Sequence, residues 1–168
     1  MADFRRMKPG DGADALGLAG ALTGVTGVAA ISGAVISRRL SWYDTLEKPA
    51  LTPPRLVLGP AWTVLYANQA VAAWLVWRGD AQRAQFDVPA IFSYAVQLAL
   101  NLGWTLLFFG LKKPAWALFD LCVLWLAIAV TIREFARQHR VAAAMLLPYL
   151  AFITYAVGLN TAIWLRNR

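Results

Sequence analysis

Two residue types on which much soluble-enzyme chemistry relies are almost missing from this chain, which has one cysteine, Cys122, and one histidine, His139. A single cysteine excludes an internal disulfide and any multi-cysteine metal site, and a single histidine excludes a histidine cluster. Charge is scarce as well: only 15% of the 168 residues are Asp, Glu, Lys or Arg, and nine of them are acidic. General acid–base catalysis needs positioned carboxylates or histidine, and here they are few. The sequence also lacks GxSxG, HExxH, a Walker loop and a dinucleotide fingerprint, so the common hydrolase, zincin and nucleotide-binding readings fail. A soluble domain of this size keeps a charged exterior over a core holding roughly two-thirds of its surface. These few charges cannot supply one.

What is present is apolar length. Sixty per cent of the residues are hydrophobic and the mean hydropathy is +0.53. A bilayer crossing takes about 20 mostly apolar residues, and five stretches qualify: about Ala15 to Ser37, Leu56 to Trp77, Pro89 to Gly110, Pro114 to Ile132 and Val141 to Leu165. Each ends in charge, for example at Arg38 and Arg39 or at Lys112 and Lys113. The short alternating segments of a β-barrel are absent. The expected fold is an all-α membrane protein: a polar N-terminal segment, 1–14, then a single five-helix transmembrane domain over 15–168. The first span is too long for a signal-peptide core and shows no cleavage site before Arg38. Lys and Arg divide eight against eight between the two sides, so the positive-inside rule does not orient the chain. A basic balance of +7 split in this way reads as membrane-flanking charge, with no nucleic-acid partner.

The first span carries Gly20 and Gly24 in GxxxG spacing, which serves either an intramolecular packing face or a dimer seam. The loop after it, from Arg38 to Arg55, holds Trp42, Tyr43, Pro49, Pro53 and Pro54. Proline fixes φ and blocks helix extension, so this loop is expected to be an ordered, irregular cap. On the second span Trp62, Tyr66, Gln69 and Ala73 recur at three- and four-residue steps; Gln97, Asn101, Trp104 and Phe108 do so on the third. The fifth offers Tyr149, Phe152 and Ala156, with Asn160 near the same face. Such stripes serve packing as readily as binding. Polar groups sharing a face with large rings favour a pocket for a flat, largely apolar ligand. Asp120 is the acidic residue placed well inside a span; it marks either a proton or ligand site or a buried carboxyl hydrogen-bonded or protonated for structural reasons. His139, in a short charged loop, is poorly placed as a haem ligand, and Cys122 is expected to be a small packing residue.

These motifs resemble the TspO/translocator protein family, also called tryptophan-rich sensory proteins or peripheral-type benzodiazepine receptors. The resemblance runs from about Ser41 to Asn167. It rests on Trp42-Tyr43-Asp44-x-Leu46-x-Lys48-Pro49-x-x-x-Pro53-Pro54, then Pro60-Ala61-Trp62-Thr63-x-Leu65-Tyr66, then Gln97-Leu98-x-Leu100-Asn101-x-x-Trp104-x-x-x-Phe108-Phe109, Pro148-Tyr149-Leu150 and Leu159-Asn160, in that order. It implies a five-helix bundle, commonly a homodimer; the Ala- and Arg-rich composition points to a bacterial source, with the cell membrane as the expected location and the outer membrane left open. It also implies binding of tetrapyrroles such as protoporphyrin IX and haem as ligands, with no cofactor required. Carried over by motif, the ligand-binding residues are Tyr43, Trp62, Tyr66, Asn101 and Trp104, with Phe152 and Ala156 at matching positions. Asn101 and the indole N–H groups are the expected hydrogen-bond donors, and Lys48 and Arg55 the candidate contacts for propionates. Leu51 and Phe152 stand where relatives often carry Trp. Tyr149 and Tyr155 lack a following Lys or Arg at the spacing of the cholesterol-recognition pattern, so a sterol partner is unsupported. Two other functions stay open: light-dependent porphyrin degradation, which would make the protein an enzyme, and secondary transport with Asp120 as the proton-coupling group.

Overall fold

The computed structural model describes residues 11–83 and 88–168. Among these there is no strand. The element order is α1 (Asp11–Ser37), α2 (Leu40–Thr45), α3 (Arg55–Arg83), α4 (Val88–Thr105) running on into a π-helical turn (Leu106–Gly110), α5 (Pro114–Gln138), α6 (Arg140–Met145) and α7 (Leu147–Arg166). Ala15–Ser37, Val88–Gly110, Pro114–Gln138 and Arg140–Arg166 are each long and apolar enough to cross a membrane. Helix α3 has 29 residues and the length to cross; Pro60, Thr63, Asn68 and Gln69 dilute its hydropathy. The protein is an integral membrane bundle of five long helical passes.

Three details depart from the sequence-based outline. The fifth pass is two helices, because Pro148 has no N–H to give the carbonyl four residues back and its ring crowds that turn; the chain breaks at Leu146 and restarts with Leu150 N–H on the Leu146 carbonyl at 3.0 Å. The third pass ends in the π turn, closed by Leu111 N–H on the Leu106 carbonyl at 2.8 Å. That widened turn brings the neighbours Phe108 and Phe109 both into the interior. Finally, α3 and α5 run past their apolar stretches to Arg83 and Gln138, and the extra turn of α5 holds Glu134 ion-paired with Arg137.

Helices α1 and α4 pack side by side, α1 against α3, α4 against α5, and α5 against α7, with α6 closing the ring onto α3. The closed end is built from small residues: Ala72, Ala90, Ala142 and Ala143 are buried with Val76, Phe135 and Leu146. A Cβ on Gly17 would stand 1.9 Å from Trp77 Cδ1, so α1 and α3 meet most closely there. The packing face of α1 is Gly17, Ala21, Val25 and Ser32, whereas Gly20 of the GxxxG pair is exposed and makes no such contact. Cys122 is exposed on α5, not packed in the core as expected, because it shares the outward arc of the helix with Phe119 and Leu126.

Candidate functional site

Towards the other end the same helices separate, and the space between them is a cavity of about 510 Å³, within the range of small-molecule sites. Tyr43, Trp62, Tyr66, Asn101, Trp104, Phe152 and Ala156 all stand on its wall. Two aromatic groups face it. On one side Trp62 lies 5.4 Å from Tyr66 and 5.0 Å from Phe152, centroid to centroid. On the other Trp104 stacks on Phe108 at 5.6 Å, and Tyr43 leans on Phe109 at 5.6 Å.

The stripes on α3 and α4 do both of the things their spacing allowed. Their lower members are sealed: Gln69 and Gln97 are fully buried and joined by a Gln97 Nε2–H to Gln69 Oε1 bond of 3.1 Å. One to two turns nearer the cap, Tyr66, Trp62, Asn101 and Trp104 open onto the cavity. The polar groups there hold one another. The Tyr66 hydroxyl donates to Asn101 Oδ1 (2.8 Å) and Asn101 Nδ2 donates to the Tyr149 hydroxyl (2.8 Å). The Trp104 indole N–H donates to Asn160 Oδ1 (3.3 Å), and Asn160 Nδ2 to the Pro114 carbonyl (2.8 Å). These donors therefore have protein partners, leaving the second Asn101 N–H and the Trp62 indole, which has no acceptor among the described residues.

The Pro-rich loop forms a roof. Its first part is the short helix α2, whose Trp42 and Tyr43 sit on Phe108 and Phe109; the π turn thus supplies the seat for the cap. Its second part is tied to α7. The Tyr155 hydroxyl donates to the Leu51 carbonyl (2.6 Å), and Asn167 receives Glu47 N–H at 2.9 Å while donating Nδ2–H to the Glu47 carbonyl at 3.0 Å. Lys48 is spent within the loop: its Nζ lies 3.0 Å from the Leu46 carbonyl and 4.8 Å above the Tyr43 ring, off the cavity wall. The Arg55 side chain lies outside the described residues. The described segments at this end carry Arg38, Arg39, Lys48, Lys112, Lys113, Arg166 and Arg168 against only Asp44 and Glu47. The even count of Lys and Arg conceals this local excess of positive charge.

Sequence reasoning missed the contribution of α1, whose Ala29, Ser32, Gly33 and Ile36 complete the wall. Small residues without rings or amides give no signal of a site. Tyr149 belongs to the support behind the wall, fully buried. Asp120 is buried on α5 with Oδ2 unpartnered among the described residues, and a Cβ on Gly103 would meet its Oδ1 at 2.9 Å; it packs against α4 and does not line the cavity. His139 caps α6 by accepting Ala142 N–H on Nδ1 at 3.2 Å and is not on the cavity wall.

Residues 18–165 match the TspO/MBR family. The chain belongs to that family. It is 40% identical over 134 residues to the tryptophan-rich sensory protein of Cereibacter sphaeroides, covering 80% of this chain and 81% of that one. It is 39% identical over 127 residues to the tryptophan-rich protein TspO of Archaeoglobus fulgidus, covering 76% and 80%. Against the human translocator protein it is 38% identical over 128 residues, covering 76% of each. The TspO/MBR match includes most of α1, where the sequence motifs had not reached.

Proposed function

We propose that this TspO/MBR protein is a membrane receptor or sensor that binds a tetrapyrrole, protoporphyrin IX or haem, in the aromatic cavity. The observation that supports it is the cavity itself: about 510 Å³, walled by flat rings on two sides, with a few polar groups to fix orientation. Ring-on-ring contact suits a planar macrocycle, and aromatic pairs contribute about 0.5–1.5 kcal/mol each beyond area burial. The basic excess around the roof suits a ligand with carboxylates at one edge. A haem here is held by rings and not by histidine, since His139 is committed to capping α6.

The test is a titration of the purified protein with protoporphyrin IX in darkness, followed by tryptophan quenching. Binding is expected, and Trp62→Ala and Trp104→Ala should each weaken it severalfold. Unchanged affinity in both variants would remove the cavity assignment. Repeating the titration under illumination separates binding from degradation: a new bilin-like product that requires the protein is the mark of an enzyme.

A further inference from the structure

We propose that the cavity exchanges its ligand sideways, with the bilayer, through a gap between α1 and α3, and not through the roof. This rests on the tetrapyrrole reading only for the identity of the ligand. The argument starts from register. Helices α1 and α3 are antiparallel neighbours; Gly17 lies on Trp77, and Val25 shares a cluster with Ala70. Continuing that pairing toward the roof brings Gly33 level with Trp62 and Thr63. Ser32 and Val25 are seven residues apart and share a face of α1; Thr63 and Ala70 do the same on α3. The faces that pack together at the closed end therefore still point toward each other at the roofed end.

There contact is kept at Ser32, buried within reach of Tyr66, and the positions beside it are small. Gly33, Gly59 and Thr63 all line the cavity and are all exposed. Two of these three wall positions are glycines, with no side chain to close the space between the helices. A Cβ built on Gly33 or Gly59 would meet nothing within 4 Å, against 1.9 Å at Gly17. The other seam, between α3 and α7, has little helix packing but is filled by the Trp62–Phe152 ring contact at 5.0 Å. The roof is held by the Tyr155 and Asn167 hydrogen bonds and by Trp42 seated on the π turn. Leaving by the roof requires breaking these polar ties; leaving between α1 and α3, past Ser32 and Tyr66, breaks none of them and displaces lipid chains. A flat apolar ligand already concentrates in the hydrocarbon, so the gap also faces its reservoir.

The experiment uses the full chain in vesicles. Protoporphyrin IX, preloaded in the lipid, is mixed with protein and binding is followed by stopped-flow fluorescence in wild type, Gly33→Phe and Asn167→Ala. Gly33→Phe fills the gap at an exposed position, so folding is retained; association and dissociation should both slow severalfold, while Asn167→Ala leaves association unchanged. A Gly33→Phe rate equal to wild type, or faster association in Asn167→Ala, overturns the proposal. A second readout needs no porphyrin. Lipids brominated on their acyl chains should quench the emission of Trp62, taken as the difference between wild type and Trp62→Phe, and Gly33→Phe should reduce that quenching. Absence of Trp62 quenching overturns the gap even if porphyrin binds; absence of porphyrin binding with quenching intact rejects only the ligand.

Discussion

The two ends of this bundle are built from the same helices by opposite means. At one end alanines let backbones approach: Ala72, Ala142 and Ala143 bring α6 onto α3, and Gly17 lets α1 meet Trp77. At the other, rings hold helices apart and each other in place, and Trp62, Tyr66, Trp104 and Phe152 border space. Pro148 divides the two, since the break it imposes lets α6 pack on α3 while α7 departs from it. Close packing in a membrane comes from small residues, so an empty volume survives only where they give way to large ones supported from behind.

The sharpest way to break this comparison is to add the same bulk at both ends of one helix pair. Gly17→Leu drives side-chain atoms into Trp77 and should cost about 1–3 kcal/mol or more, read as a drop in thermal midpoint in detergent. Gly33→Leu meets open space and should change stability by no more than about 0.5 kcal/mol. Equal effects would mean that α1 and α3 are packed alike along their length.

Polar groups separate the ends next. Asn101 is the hub between the Tyr66 and Tyr149 hydroxyls, and a buried group stripped of its partner costs about 1–3 kcal/mol, less where lipid-embedded helices find new partners. Asn101→Ala should therefore destabilise by roughly 1–2 kcal/mol and weaken porphyrin binding. At the closed end Gln69 Nε2 and Gln97 Oε1 already lack partners among the described residues. Replacing both glutamines by Leu should be close to neutral, because removing both partners leaves no orphan. A hub that tolerates alanine while the glutamine pair does not would reverse the assignment of which polar layer supports the site.

A third, smaller effect separates shape from stability. Ala156 is half-buried on the cavity wall. Ala156→Leu should leave the thermal midpoint within about 1 °C, as surface-like positions do, yet lower porphyrin affinity severalfold by occupying ring space. A loss of stability equal to the loss of binding would show that the site is packed core.

How far the sequence carried this picture depends on the kind of residue involved. Apolar length and terminal charge gave the passes, and the three- and four-residue recurrence of Trp62 with Tyr66 and of Asn101 with Trp104 put those residues on common faces. Periodicity did not reveal where along a stripe packing ends and cavity begins, because Gln69 and Tyr66 share one face and differ only in what stands opposite. The π turn was not legible, since Leu106–Gly110 looks like any apolar helix end, and with it the burial of Phe109 was missed. Ala29 and Gly33 carry no chemistry of their own; their part in the wall comes from helices diverging, which is a tertiary property. The tie between Asn167 and Glu47 joins residues 120 apart in the chain, and no local pattern announces it.

That tie gives the smallest expected effect. Asn167 makes two hydrogen bonds to the Glu47 backbone at an exposed site, where net contributions are about 0.5–1.5 kcal/mol each at most. The roof keeps its other anchors, Tyr155 on Leu51 and Trp42 on Phe108, so Asn167→Ala should leave global stability and the cavity almost untouched. Its consequence is local: amide hydrogens of residues 46–54 should exchange severalfold faster, while those of α2 keep their protection, because α2 is held by rings and not by Asn167. Uniform acceleration across 40–54 would mean that the roof moves as one piece hinged on α7. Acceleration confined to its second half is expected, since the two halves are fastened by different chemistry, one by aromatic seating on the π turn and the other by hydrogen bonds to α7.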